Sequence, residues 1–165
     1  MGQKTNPIGL RIAVDKDWRS RWFSPKKEFG NLLIEDLKIR ELVKKRLENA
    51  AVAEVRIERY ANRVRINIFT ARPGIVIGRK GQDIERIRTE LATMSGKEIY
   101  IEIQEIRDAD TNAQLVAENI AMQMARRVSF RRAMKRSIKL AMDMGVEGIK
   151  IRVSGRLGGA ELSRV

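Results

Sequence analysis

Neither cysteine nor histidine occurs among the 165 residues. That excludes a disulfide framework, a Cys/His zinc site and any imidazole acid–base chemistry. Prolines number only three, and aromatic side chains make up 5% of the chain. No apolar stretch approaches the roughly 20 residues needed to span a bilayer. The opening Met-Gly-Gln-Lys-Thr-Asn-Pro-Ile-Gly lacks the apolar run of a signal peptide. The expected location is therefore cytosolic or an organelle matrix. Asp, Glu, Ser and Lys are present, but no grouping of them resembles a catalytic or metal-binding set, so no cofactor, metal or small-molecule substrate is expected.

Positive charge is abundant. Lys and Arg total 34 against 21 Asp and Glu, a formal net charge of +13. Such an excess repels itself and favours an anionic partner. It is also local, because residues 126–139 hold seven basic side chains and no acidic one. Nucleic acid fits this concentration better than a merely solvated basic surface.

Residues 1–30 read as an irregular basic extension, broken by Gly2, Pro7, Gly9, Pro25 and Gly30. Trp18, Trp22 and Phe23 argue against full disorder. The segment is expected to lie against a neighbouring domain or to thread along a charged partner. A helix follows over 31–48, with Leu33, Leu37, Leu42 and Val43 facing a core. Val55 and Ile57 mark a strand over 52–59. After a turn at 60–62, Val64, Ile66 and Ile68 alternate with Arg63, Arg65 and Asn67 in a second strand, completing a hairpin. A helical segment opens at Pro73, is interrupted at 78–81 and resumes to about residue 94. Ile99, Ile101, Ile103 and Ile106 give a third strand. The order is helix, strand, strand, helix, helix, strand.

A boundary falls at 108–111. Two helices follow, over 112–128 and 130–145, and then a strand over 149–154. In the second helix, Phe130, Met134, Ile138 and Ala141 gather on one side. Met122, Met124, Met134, Met142 and Met144 read as core filler, since methionine adapts to irregular gaps. One strand makes no sheet, so this second unit is expected to be incomplete.

The sharpest local signal is Gly74-Ile75-Val76-Ile77-Gly78-Arg79-Lys80-Gly81. Gly78 and Gly81 bracket two basic residues between helical segments. Glycine permits a tight turn and a close approach, and backbone N–H groups at a helix start face phosphate well. This is no Walker loop, because Gln82 follows Gly81 where Lys-Ser/Thr would stand. Nor is it a dinucleotide loop, which runs from strand to helix with Gly-x-Gly-x-x-Gly. Its physics suits the clamping of a short run of nucleotides. A second signal is the helix 130–145, where Arg131, Arg132, Lys135, Arg136 and Lys139 form one basic edge. Five like charges on one surface call for an anion, as a phosphate backbone supplies.

With its element order and glycine loop, 31–106 resembles a type-two KH domain. The likeness extends further. The opening residues with Asn6-Pro7, the run Thr70-Ala71-Arg72-Pro73-Gly74, the stretch Phe130-Arg131-Arg132-Ala133-Met134-Lys135-Arg136, and Ser154-Gly155-Arg156-Leu157-Gly158-Gly159-Ala160-Glu161 are together similar to the bacterial-type small ribosomal subunit protein three family. The resemblance implies an α+β (α/β sandwich) fold. Its parts are a basic extension (1–30), a type-two KH RNA-binding domain (31–107) and a truncated α/β domain of two helices and a strand with the basic helix (108–165). It implies a non-enzymatic, cytoplasmic constituent of the small subunit head, with small-subunit ribosomal RNA, messenger RNA and neighbouring head proteins as partners and no membrane. Gly78, Arg79, Lys80 and Gly81 become the RNA-binding loop. Arg131, Arg132, Lys135, Arg136 and Lys139 become a surface at the messenger entrance, helping to hold or unwind message without nucleotide hydrolysis. Lys4, Arg11, Arg72 and Arg156 become further RNA contacts.

The resembled family continues past the glycine-rich motif with more strands, so the chain is a fragment, the favoured reading, or is completed by a separate chain, or is naturally shortened; 149–154 is expected to lack its partners. Two other classes stay in view. One is a free-standing KH-type factor that regulates or processes single-stranded RNA. The other is a Lys-dependent nicking activity on damaged DNA, for which no residue is visibly positioned.

Overall fold

A computed structural model describes residues 2–165 of the chain, which divides into two compact units, the first running to Glu105 and the second spanning Ile106–Val165. In the first unit a short helix α1 (Pro7–Arg11) is started by Asn6, whose side chain accepts hydrogen bonds from the backbone N–H groups of Ile8 and Gly9. Strand β1 (Ser20–Arg21) follows, then helix α2 (Lys26–Arg46). Next come the hairpin strands β2 (Val52–Arg59) and β3 (Arg63–Thr70), helices α3 (Pro73–Ile77) and α4 (Gln82–Ser95), and strand β4 (Glu98–Glu105). The sheet order is β1-β2-β3-β4. β2 and β3 are antiparallel, with Ile57 opposite Ile66, while β3 and β4 are parallel, with Ile66 opposite Ile101. The crossover through α3 and α4 is what a parallel neighbour requires.

The alternation of Val and Ile with polar residues sends one side of each strand inward. Val55, Ile57, Val64, Ile66, Ile68 and Ile99 are buried there against Ile39 and Val43 of α2, Val76 of α3, and Ile87 and Leu91 of α4. Each fully buried branched side chain of this kind contributes about 1.5–3 kcal/mol. Helix α4 stops at Gly96, which takes a left-handed conformation and donates its N–H to Ala92.

Three expectations for this unit are corrected. The segment before residue 31 is not irregular throughout. β1 pairs in parallel with β2, Ser20 opposite Ile57, and α2 starts at Lys26 with Gly30 inside it. Leu33 and Leu37 do not face the core; both are exposed, and the inward line of α2 is Asp36, Ile39 and Val43, continued by Leu47. The third strand ends at Glu105, before Ile106.

The roll of α2 has a polar cause. The fully buried Asp36 carboxylate accepts from Ser20 Oγ (2.7 Å) and Trp22 Nε1 (2.8 Å) on one oxygen, and from Arg59 Nε (2.8 Å) and Nη2 (2.6 Å) on the other. Arg59 also reaches Glu35 at 3.1 Å. Arg40 donates to Ser20 Oγ at 2.6 Å and to the Arg19 carbonyl at 3.0 Å. Burial pulls the Arg40 guanidinium below its ordinary value, and Asp36 pushes it back up. Trp22 packs on Phe29 with ring centroids 5.3 Å apart. A buried charge is tolerated only when it is paired and hydrogen-bonded, and here four donors saturate both oxygens.

The second unit holds α5 (Ala113–Ala125), capped by Asn112 accepting from Gln114 and Leu115 N–H, and α6 (Phe130–Asp143). Of the side formed by Phe130, Met134, Ile138 and Ala141, Ala141 is buried. α6 buries the small residues Ala133, Ser137 and Ala141, while Phe130 and Met134 are half-buried and Ile138 is exposed. Small side chains let the helix come close to α5, which contributes Leu115 and Ile120. Met122, Met142 and Met144 are exposed rather than core filler. The strand expected over 149–154 forms no ladder. Ile149, Ile151 and Val153 remain half-buried and alternate with exposed Lys150, Arg152 and Ser154, so the period is kept without the pairing. With α5 they line an open groove of ≈630 Å³. The chain then folds back, with Gly155 and Arg164 exchanging two backbone hydrogen bonds of 2.9 Å.

Replacing Asp36 by Ala leaves the buried Arg59 with Glu35 as its one remaining carboxylate and takes the shared acceptor from Ser20 and Trp22. Urea unfolding is expected to show a loss of about 3–5 kcal/mol, well above the change for an exposed pair such as Arg88–Glu85. A loss below about 1 kcal/mol would contradict this assignment.

Candidate nucleic-acid interface

Thr70 places the glycine loop. Its buried hydroxyl donates to the Ala50 carbonyl (2.6 Å) and accepts from Arg72 N–H (3.0 Å), fixing the end of β3 where α3 begins. Pro73 occupies the first turn of α3, where its missing N–H costs nothing. Val76 anchors the helix in the core, and Ile75 and Ile77 are exposed beside the loop. Gly78 ends α3 at φ 70, ψ −173, a combination open essentially to glycine alone. Arg79–Gly81 form one turn of 3-10 helix. Within it Lys80 (φ 54, ψ 27) is left-handed, and so is Gly81 (φ 76), which opens α4. Arg79 and Lys80 are thus held on the surface at the start of a 14-residue helix, whose first N–H groups favour an anion.

The second candidate surface lies on α6. Arg131, Arg132, Lys135, Arg136 and Lys139 are all exposed, and with Ser129 they line a shallow open depression of ≈700 Å³. None of the five takes part in any of the ion pairs among the described residues, which all lie between Asp17 and Glu102. Arg131 sits 5.7 Å from the Phe130 ring centroid, a contact that holds the guanidinium without neutralising it. Ser129 is the lining residue the sequence pattern missed; its signal was its place as the residue just before the helix.

The remaining candidates lie on other segments of the chain. Lys4 is exposed in the extended start of the chain. Arg11 ends α1 and donates to the Pro7 carbonyl at 3.0 Å. Arg72 is exposed just ahead of α3. Arg156 is tied to the Ala160 carbonyl at 2.8 Å. Among the described residues no group of three or more acidic side chains is placed to hold a metal ion, and no helix is long and apolar enough to cross a membrane.

A sheet covered on one face by three helices, with a Gly-x-x-Gly turn between the last two, defines a KH domain. The family model described as KH domain matches residues 38–111, and the model described as Ribosomal protein S3, C-terminal domain matches residues 120–165. The small ribosomal subunit protein uS3 of Geotalea uraniireducens (strain Rf4) is 54% identical over 164 residues, covering 99% of this chain and 78% of that protein. The proteins of the same name from Clostridioides difficile (strain 630) and Desulfosudis oleivorans (strain DSM 6200 / JCM 39069 / Hxd3) are 58% and 55% identical. Each alignment covers 99% of this chain, with 61% and 76% of those proteins. The chain belongs to the small ribosomal subunit protein uS3 family.

Backbone and packing both hold the loop to glycine at position 78. Gly78→Ala is expected to lower stability by about 1–3 kcal/mol through the disallowed φ/ψ, read by thermal unfolding. Gly74→Ala is the control. A Cβ there meets nothing within 4 Å, and the position is helical, so it should be neutral or slightly stabilising. Equal effects of the two changes would contradict the loop geometry.

Proposed function

We propose that this chain works as a structural, non-enzymatic constituent of the small ribosomal subunit in the cytoplasm, with two RNA-facing surfaces. Residues 1–30 and the KH region 31–107 lie on small-subunit ribosomal RNA, through Lys4, Arg11, Arg72, Arg79 and Lys80. Gly78 and Gly81 let the backbone approach phosphate closely. Residues 108–165 present Arg131, Arg132, Lys135, Arg136 and Lys139 to messenger RNA at its entry, with Arg156 as a further contact. Neighbouring head proteins complete its surroundings.

The observation that carries this reading is the set of five exposed cations on α6 with no carboxylate to pair with. Cations spaced along one helix face match phosphates repeated along a strand. Contacts of that kind position a strand without reading its sequence, as guiding any message requires. Holding a separated strand at fixed charges also traps transient openings of a duplex, so the surface aids unwinding driven by translocation and needs no chemical step. A free-standing KH factor would use the same loop, but the likeness to uS3 proteins extends across α6 and the tail as well.

Replacing Arg131, Arg132 and Lys135 together by Gln tests the charge argument. The slope of log affinity against log salt for single-stranded RNA is expected to flatten by about 2, since each lost phosphate contact removes roughly 0.7. Particles carrying the same triple change should open a messenger duplex more slowly in a strand-separation assay. An unchanged slope would overturn the α6 surface; unchanged strand separation would overturn its part in unwinding.

A further inference from the structure

Charge around the glycine loop is not arranged like charge on α6. Arg79 and Lys80 occupy the turn, but the first turn of α4 directly beyond it carries Asp83 and Glu85. Glu85 is offset by Arg88, 3.1 Å away. Asp83 is not offset. Among the described residues it forms no ion pair and accepts no hydrogen bond, not even from the free N–H groups of its own helix start. Its side chain instead folds back over the loop. A Cβ built on Gly78 would lie 2.6 Å from its Cγ and 2.7 Å from its Cβ. Gly78 is therefore the residue that makes room for this carboxylate as well as for the turn.

The N-terminal end of a helix favours negative charge, and here the chain supplies that charge itself. Asp83 is exposed and lies against Gly78, so a nucleotide phosphate brought close to Gly78 would meet its carboxylate. We propose that Asp83 sets the specificity of the loop. Its carboxylate occupies the region a phosphate would take, weakens the loop for phosphate alone, and makes RNA contact there depend on the side chain moving aside. The inference rests on reading residues 78–81 as an RNA contact. It divides the labour of the two surfaces: α6 attracts phosphate by unopposed charge, while the loop, with the charge of Arg79 and Lys80 halved by Asp83, selects a strand that offers more than charge.

The test needs a signal from the loop alone, because α6 also binds RNA. The full chain labelled with nitrogen-15 is titrated with octauridylate at fixed salt, and the amide signals of Gly78 and Gly81 report binding at the loop. Asp83→Asn keeps the shape and removes the charge. It is expected to tighten the apparent Kd at those amides about three- to tenfold, the effect of one unit charge removed at a few ångströms near a protein surface. Asp83→Glu keeps the charge and is expected to stay near the parent value, with far-UV circular dichroism confirming the fold of both. No tightening in Asp83→Asn, or equal tightening in Asp83→Glu, overturns the proposal. Lys80→Gln separates the two levels. If it weakens binding at the loop while Asp83→Asn changes nothing, the loop remains an RNA contact and only the role of Asp83 falls. If the loop amides respond to RNA in no variant, the RNA reading of the loop falls and this inference with it.

Discussion

One buried carboxylate organises the first unit. Asp36 is wholly out of water in a chain of net charge +13, and its two oxygens take four hydrogen bonds from Ser20, Trp22 and Arg59. Those donors come from the segment around β1 and from the end of β2, so a single residue of α2 ties three parts of the chain together. Saturating it fixes the roll of α2, which turns Ile39 and Val43 inward and leaves Leu33 and Leu37 outside. A buried pair of this kind is weak evidence for net stability, because desolvation offsets much of the attraction. What it does supply is direction, since four hydrogen bonds on Asp36 tie α2 to Ser20, Trp22 and Arg59.

Charge is then sorted rather than spread. Arg21, Arg46, Arg56, Arg59, Arg65 and Arg88 each meet a carboxylate in the first unit. The exposed Arg46–Glu90 pair raises the one and lowers the other from their ordinary values by their mutual hydrogen bond, although water screens such a pair heavily. The five cations of α6 have no such partner. Cations outside these pairs occur elsewhere too, as at Lys38, Lys44 and Lys45 of α2, but residues 126–139 gather seven basic side chains with no acidic one, whereas the glycine loop lies next to its own acid.

Much of this was legible in the residues. Val52–Arg59 and Arg63–Thr70 were readable because branched residues alternate with polar ones, and the loop because Gly78 and Gly81 bracket Arg79 and Lys80. β1 was not, since two polar residues, Ser20 and Arg21, carry no periodic apolar signal. Asp36 was hidden because a carboxylate in a helix ordinarily faces water. The buried line of α6 was legible at Ala141 but not at Ala133 and Ser137. Large apolar residues advertise a core face, whereas Ala133, Ser137 and Ala141 mark the closest approach by being small. The alternation over 149–154 was real, but alternation specifies a face and not a partner, and no ladder formed.

On the proposed reading, the unpaired cations of α6 meet messenger phosphates at the small subunit. The most direct measurement is a density map of this chain reconstituted with small-subunit RNA, the other head proteins and a bound message. The account predicts the chain in the head, with message phosphates within ion-pair distance of Arg131, Arg132 and Lys135. A map in which α6 packs against protein, or faces solvent while the message runs elsewhere, would contradict it.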